Sequence, residues 1–588
     1  MNKGTTLSSA GDGSDSSGSG RLWTKALSQE FWSGVVTPLM FSIAGGLIEE
    51  RMARKGVRIA GLKDLESDRF LRHVGGQVYL NARILEEVVR LIPSLLVTPQ
   101  VTRFLPEAVR RDLVAIRVPL FSTRTLRMLL RLFMIDPRWA PFSNDRAFER
   151  AVARIEETRR SHLLVKETEL DIPSLLARSR VLYRQMGEYL DVVAWGMVFA
   201  YVARPLTVLL ARNWGNDGGG ELSSRLRVGL EGIRTFEINR EVERLAEEVL
   251  SDPWLNERFD RAAAGGILTS LQGQGRAEDF LQKFQSFLER NGHRFHGRDI
   301  GYPTWRERPE TVIEMIKMNR GSDLSRRAFT SQREERLKAE KELRHRIRTG
   351  VLGPLKEALF SLVLSYDQRY FVLRENMRYH ADVYLEQFRR LYLEIGRRWH
   401  SQGAIERPED IVFLSKEEIE EACRKGIRLR QTVEQRKREF ERYRHLRTPE
   451  VIGDGEDVPF SPWPAEGETF VLTGEIASPG RVKGPARIIH RPEDLLGFRK
   501  GDILVAQYTD PSWTPVLSLV AGLVLEVGGL LSHGAIVARE YGIPALIQVE
   551  GAVERISTGD RIELDTGRKL VRVTRGSHPL DTGRQIVY

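Results

Sequence analysis

One cysteine, Cys423, stands among 588 residues, so no intramolecular disulfide can form and the chain fits a reducing compartment. Long apolar runs are scarce too. VVAWGMVFAYVA (192–203) falls far short of the ~20 residues that cross a bilayer, and Arg204-Pro205 is expected to end it. FWSGVVTPLMFSIAGGLI (31–48) is longer but carries a proline and several glycines, so both runs are read as soluble and the protein as cytoplasmic. The first twenty residues, MNKGTTLSSAGDGSDSSGSG, lack a signal peptide's apolar core and are expected to be disordered. No P-loop occurs, and GNDGGGEL (215–222) is a glycine run without the surrounding pattern. There is no zinc-ligand spacing, basic tail, aromatic RNA-binding signature or internal repeat, and no bound cofactor or metal is evident.

What is present is dense charge of both signs. Ninety Lys and Arg stand against 80 Asp and Glu, a net +10. In SQREERLKAEKELRHRIR (331–348) the two signs alternate at helical spacing, as on a solvated helix face. A chain of this length should hold at least two domains. From 21 to 450, apolar residues recur every three or four positions, as in NARILEEVVRLIPSLL (81–96), which predicts a mainly α-helical domain. VIGDGEDVPFSPWPAEGE (451–468) is rich in Pro, Gly and acid and reads as a linker over 451–466. From 467 to 576 the pattern becomes short strands: TFVLTGEIA, ARIIH, GDILVAQY, AGLVLEV, PALIQV, DRIELD and LVRV. One helix interrupts them, starting at or just after His533, and 577–588 reads as a tail.

The segment before that helix is GGLLSH. Free amide N–H groups and the positive end of a helix favour an anion and disfavour imidazolium, so His533 should stay neutral and nucleophilic. Gly528 and Gly529 permit close approach, and Ser532 and Gly534 flank the histidine. A neutral imidazole able to attack phosphorus, with amides ready for the phosphoryl oxygens, would make a phosphohistidine site. On local chemistry alone, a structural histidine is an equal alternative.

GEIASPGRVKGPARII (474–489), KGDILVAQYTDPSWTPVL (500–517) and GGLLSHGAIVAREYGIPALI (528–547) resemble the swivelling phosphohistidine domain of phosphoenolpyruvate synthases and pyruvate phosphate dikinases. In DPxWTP and EVGGxxxHGxxVAREYGIPA they are most similar to the rifampin phosphotransferases. The resemblance implies a mobile β/β/α module with His533 as the phosphoryl carrier. Leu531 departs from the Thr that is usual in the dikinases, although the rifampin-type enzymes also have an apolar residue there.

The helical part carries the resemblance further. WTKALSQEFWSGVVTPLMFS (23–42) is similar to the segment opening the family's substrate domain, and NGHRFHGRDIGYPTWRERP (291–309) to a second element. RYFVLRENMRYH (369–380) with GAIERPEDIVFLSKEEI (403–419) resembles a third. The implied partners of the phosphohistidine are Arg374 and Arg378, the latter replacing a Lys with a planar fork. Tyr370, Arg374 and Arg378 are four apart and share a helix face, where two guanidinium groups need an anion between them; a structural carboxylate partner for Arg374 is the alternative. His380 lies off that face and has no role. His293 and His296 are candidates for deprotonating an acceptor hydroxyl, with Arg294 beside them, and both histidines could equally anchor a loop.

Members of this family begin with an ATP-grasp domain, and this chain is expected to start at the substrate domain. The arrangement resembles the large subunit of phenylphosphate synthase. It implies a split phosphotransferase in which a separate ATP-grasp protein cleaves MgATP and loads His533, and a small phenol or alcohol accepts the phosphoryl group. The rivals are a non-catalytic scaffold or regulator of the same fold, and a basic nucleic-acid-associated helical protein.

Overall fold

The computed structural model describes most of residues 21–90, scattered positions between 105 and 134, and most of 141–454 and 469–576. Five helices organise the larger part: α1 (Ile172–Gly215), α2 (Arg234–Ser251), α3 (Glu310–Asn319), α4 (Leu324–Ile347) and α5 (Gly353–Ser401). The longest two, α1 and α5, run against each other. Their approach is close at Gly196, where a Cβ would lie 2.5 Å from Leu373 Cδ2.

Pro205 does not end the apolar run, as the sequence predicted: α1 continues through it to Gly215. A proline removes one intrahelical hydrogen bond, but tertiary packing outweighs that loss here. Arg204 beside it donates to the Ser223 carbonyl at 3.0 Å and lies 3.6 Å from the buried Asp367 carboxylate. By length and composition α1 could cross a membrane; 41% of its apolar window is buried against the rest of the protein.

Four strands also belong to this mainly helical part, and sequence periodicity did not reveal them. They are β1 (Leu22–Thr24), β2 (Leu71–Val74), β3 (Gln77–Asn81) and β4 (Val451–Gly453), in the order β2-β3-β1-β4. β4 occupies the first residues of the stretch read as linker, because pairing with β1 and burial of Ile452 against Trp23 and Tyr79 hold it in place. The rest of that stretch, 455–468, lies outside the described residues.

The C-terminal part matches the predicted strands closely. β5 (Thr469–Thr473), β6 (Glu475–Ser478), β7 (Arg481–Ile489), β8 (Ile503–Ala506), β9 (Gly522–Leu525), β10 (Ala545–Ile547), β11 (Arg561–Asp565) and β12 (Leu570–Thr574) form one mixed sheet. Its order is β5-β12-β11-β7-β8-β9-β10-β6, with β7, β8, β9 and β10 successively parallel. β8, β9 and β10 are buried along their whole length, as parallel strands covered on both faces are. Helix α6 (His533–Glu540) lies between β9 and β10 in sequence.

Candidate phosphohistidine site

His533 is the first residue of α6, and Ser532 caps it in extended conformation without a side-chain capping bond. The Ser532 hydroxyl is buried and has no hydrogen-bond partner among the described residues. A buried hydroxyl left open beside a helix N-terminus suits a phosphoryl oxygen, which accepts from O–H and from backbone N–H alike. The glycines are required by space. Gly528 has φ +129, and a Cβ on it would stand 2.8 Å from Ser532 Oγ. A Cβ on Gly534 would meet Leu525 Cδ1 at 2.5 Å and Thr509 Oγ1 at 2.6 Å. The start of α6 is therefore pressed onto the end of β9 and onto Thr509. Gly529 lies outside the described residues.

Two groups at this site were given no role by the sequence reading. Thr509, in the TDPSW segment, is buried beside Gly534. Glu526, two residues before Gly528, accepts from the Val553 N–H at 2.7 Å, and burial pushes its carboxyl up to about 7, opposed in part by Lys25. Lys25 follows β1, so the edge of the domain that carries the histidine loop faces the small sheet of the helical part. An acid ending the otherwise apolar run LVLEV was the available signal.

Arg374 and Arg378 sit half-buried on α5. Arg374 has the Glu375 carboxylate 3.8 Å away, a loose contact. The structure brings this turn of α5 to the far end of α6. Burial lowers the pKa of Arg539, and of the charges acting on it Glu540 and Glu375 raise it while Arg227 and Arg374 lower it. Arg539 lies six residues along the helix from His533, roughly 9 Å at 1.5 Å per residue.

The remaining candidates take packing roles. Tyr370 is fully buried, its ring 4.8 Å from that of Phe199 and its hydroxyl donating to Asp145 at 3.0 Å, so it does not share the arginines' surroundings. Spacing along one helix does not reveal that a neighbouring helix covers part of the face. His293 is fully buried, its ring edge-on to Tyr379 and its Nε2 3.2 Å from the Tyr379 carbonyl; burial holds it neutral, well below the usual histidine range. Arg294 is buried in an ion pair with Asp382 at 2.6 Å. His296 lies outside the described residues. His380, given no role, is also buried, and burial lowers its pKa to about 4.

A cavity of about 580 Å³ opens elsewhere in the helical part, lined by Pro38, Phe41, Glu49, Leu71, His73 and Arg436 among others. The Thr-Pro-Leu segment and Ser415, just after the 410–414 element, meet at it although they are far apart in sequence. The His73 ring stacks on Phe41 at 4.8 Å with its Nε2 3.0 Å from the Val36 carbonyl, and burial lowers its pKa to about 4.

Residues 498–569 match the PEP-utilising enzyme mobile domain. In these residues the chain is similar to the PEP-utilising enzymes. Residues 193–375 match the rifampicin phosphotransferase fourth domain, a segment that ends just past Arg374. The rifampicin phosphotransferase of Bacillus subtilis (strain 168) is 33% identical over 302 residues, covering 50% of this chain and 34% of that protein. The prodigiosin synthesizing transferase PigC of Serratia marcescens is 28% identical over 417 residues, covering 68% of this chain and 46% of the relative. The chain thus spans less than half the length of the curated relatives it matches.

Proposed function

We propose that this chain is the phosphohistidine-carrying part of a phosphotransferase, with His533 as the carrier. A nucleotide-binding unit of ATP-grasp type, outside these 588 residues, would supply the phosphoryl group from MgATP. In the loading step the neutral imidazole attacks the β-phosphorus, an N–P bond forms, and the bond from that phosphorus to the oxygen shared with the α-phosphate breaks, releasing AMP. Water then takes the terminal phosphate off as inorganic phosphate and leaves the β-phosphoryl group on His533. In the delivery step an acceptor oxygen forms the new P–O bond, the N–P bond breaks, and the hydroxyl proton leaves to a base in the bound complex. Such transfers are catalysed mainly by positioning and charge. The α6 N-terminus and the Ser532 hydroxyl stand at His533 for this, whereas Arg374 and Arg378, whose turn of α5 lies toward the far end of α6, would act on the phosphoryl group after the domain moves. Magnesium belongs with the nucleotide on the partner.

The observation that carries this reading is the conjunction at α6. One end presents His533 with an open buried hydroxyl beside it, and the other end comes within electrostatic reach of Arg374 on α5. A scaffold requires neither. The acceptor in this reading is a small phenol or alcohol, and the 580 Å³ cavity, with its aromatic stack and charged rim, is of a size suited to one.

Phosphorylation with ATP labelled in the β-phosphate, with and without host extract and alongside His533→Ala, tests the proposal. Acid-labile label on the wild type alone, dependent on extract, is expected. No label under any condition would favour the scaffold.

A further inference from the structure

His533 begins α6, and the last turn of the same helix is where the phosphohistidine domain meets the helical one. The buried Glu540 carboxylate accepts from the Gly229 N–H at 3.3 Å. Gly229 adopts φ +59, and a Cβ there would lie 2.5 Å from the Arg333 backbone nitrogen, so α4 closes on the other side of that turn. From α2, the Asn239 amide donates to the Tyr541 hydroxyl at 2.7 Å, and Phe236 meets the Tyr541 ring edge-on. The short helix Thr514–Leu517 packs on α2 and α3, and its buried Val516 and Leu517 share a hydrophobic cluster with Val242 and Val312.

We propose that Glu540 and Tyr541 are positioning residues: they latch the phosphohistidine domain onto α2 and onto the Gly229 turn that α4 backs, in one defined docked pose. Directional hydrogen bonds from the Gly229 turn and from α2 converge on adjacent residues, which fixes orientation as well as contact. Because both residues continue the helix that His533 starts, fixing them fixes the direction in which the histidine is presented. The purpose of the latch rests on the phosphohistidine reading, whereas its existence does not.

Hydrogen–deuterium exchange on the full-length chain tests it. Tyr541→Phe keeps the ring and removes the acceptor of the Asn239 bond. Exchange in 228–242 should rise roughly two- to tenfold, the range expected for losing one hydrogen bond, while the amides of β8, β9 and β10 keep wild-type protection. A rise confined to the segment around residue 541, or one shared by the three strands, would overturn the latch and leave a local or purely structural role. Glu540→Ala should act like Tyr541→Phe, and Glu540→Gln, whose amide oxygen still accepts from Gly229, should restore protection. Failure of that rescue would also count against the latch. Since β-phosphate labelling of His533 is a separate readout, loss of the latch and loss of the phosphohistidine reading are distinguishable.

Discussion

Thr37 and Asp299 are joined twice: the Thr37 backbone N–H and its hydroxyl donate to the two oxygens of one buried carboxylate, each at 2.7 Å. Gly301 N–H adds a third bond at 2.7 Å. The pair ties the Thr-Pro-Leu segment to the 291–309 segment, two stretches that the family resemblance singled out separately. Asp299→Ala should orphan the Thr37 groups and destabilise the helical part by about 2–4 kcal/mol, read by urea denaturation. Asp299→Asn, which keeps an acceptor, should cost less than half of that. Equal effects would mean that the negative charge, not the hydrogen bonds, holds the segments together.

His533→Ala removes the nucleophile from the first turn of a helix whose other residues are packed by their own contacts. Acid-labile label should vanish completely, with the melting temperature moved by only a degree or two. Residual label of the same acid lability would assign the carrier to another histidine.

Arg374→Ala should separate chemistry from folding. Its ion pair with Glu375 is long, 3.8 Å, but both side chains are largely buried, so the stability change should be about 1–3 kcal/mol, short of unfolding the chain. Delivery from phosphorylated His533 should slow by about 10²–10³, the size seen when one preorganised donor to a developing charge is removed. Arg374→Lys should recover part of the rate, since a point charge replaces a fork. An unchanged delivery rate would remove Arg374 from the site.

The sequence was most legible where local pattern and tertiary environment agree. Each predicted strand after residue 467 is present, and α6 starts at His533, because alternation, buried parallel runs and a glycine-rich turn are local signals. Legibility failed where the deciding partner is remote. Pro205 passes through a helix because α5 packs beside it, Tyr370 is claimed by Asp145 and Phe199, and β4 exists only because β1 pairs with it. Glu540 and Tyr541 read as part of a motif, yet Gly229 and Asn239, which give them a role in docking, lie more than 300 residues away.

The latch should also depend on pH, with a sign fixed by burial. Desolvation pushes the Glu540 carboxyl up to about 7 and Glu375 adds to it, against the opposing effects of the Gly229 N–H and Arg539. Undocked, the same group returns toward the ordinary carboxylic range near 4.3. The docked state therefore binds the proton more tightly, so docking gains strength as pH falls below about 7 and loses it as pH rises through that value. The full change is at most about 4 kcal/mol, of which about 1 kcal/mol falls between pH 6 and pH 8. Exchange in 228–242, corrected for its intrinsic pH dependence, should be slower at pH 6 than at pH 8, and Glu540→Gln should flatten most of the difference. Glu526, also raised to about 7 and facing Lys25, leaves a smaller residue of the same sign. His380, lowered to about 4 by burial, acts with the opposite sign wherever opening lets it protonate, a contribution that the comparison with Glu540→Gln subtracts because that variant leaves His380 unchanged. A wild-type latch that tightens toward pH 8 would show that Glu540 docks as a paired carboxylate rather than as an acid.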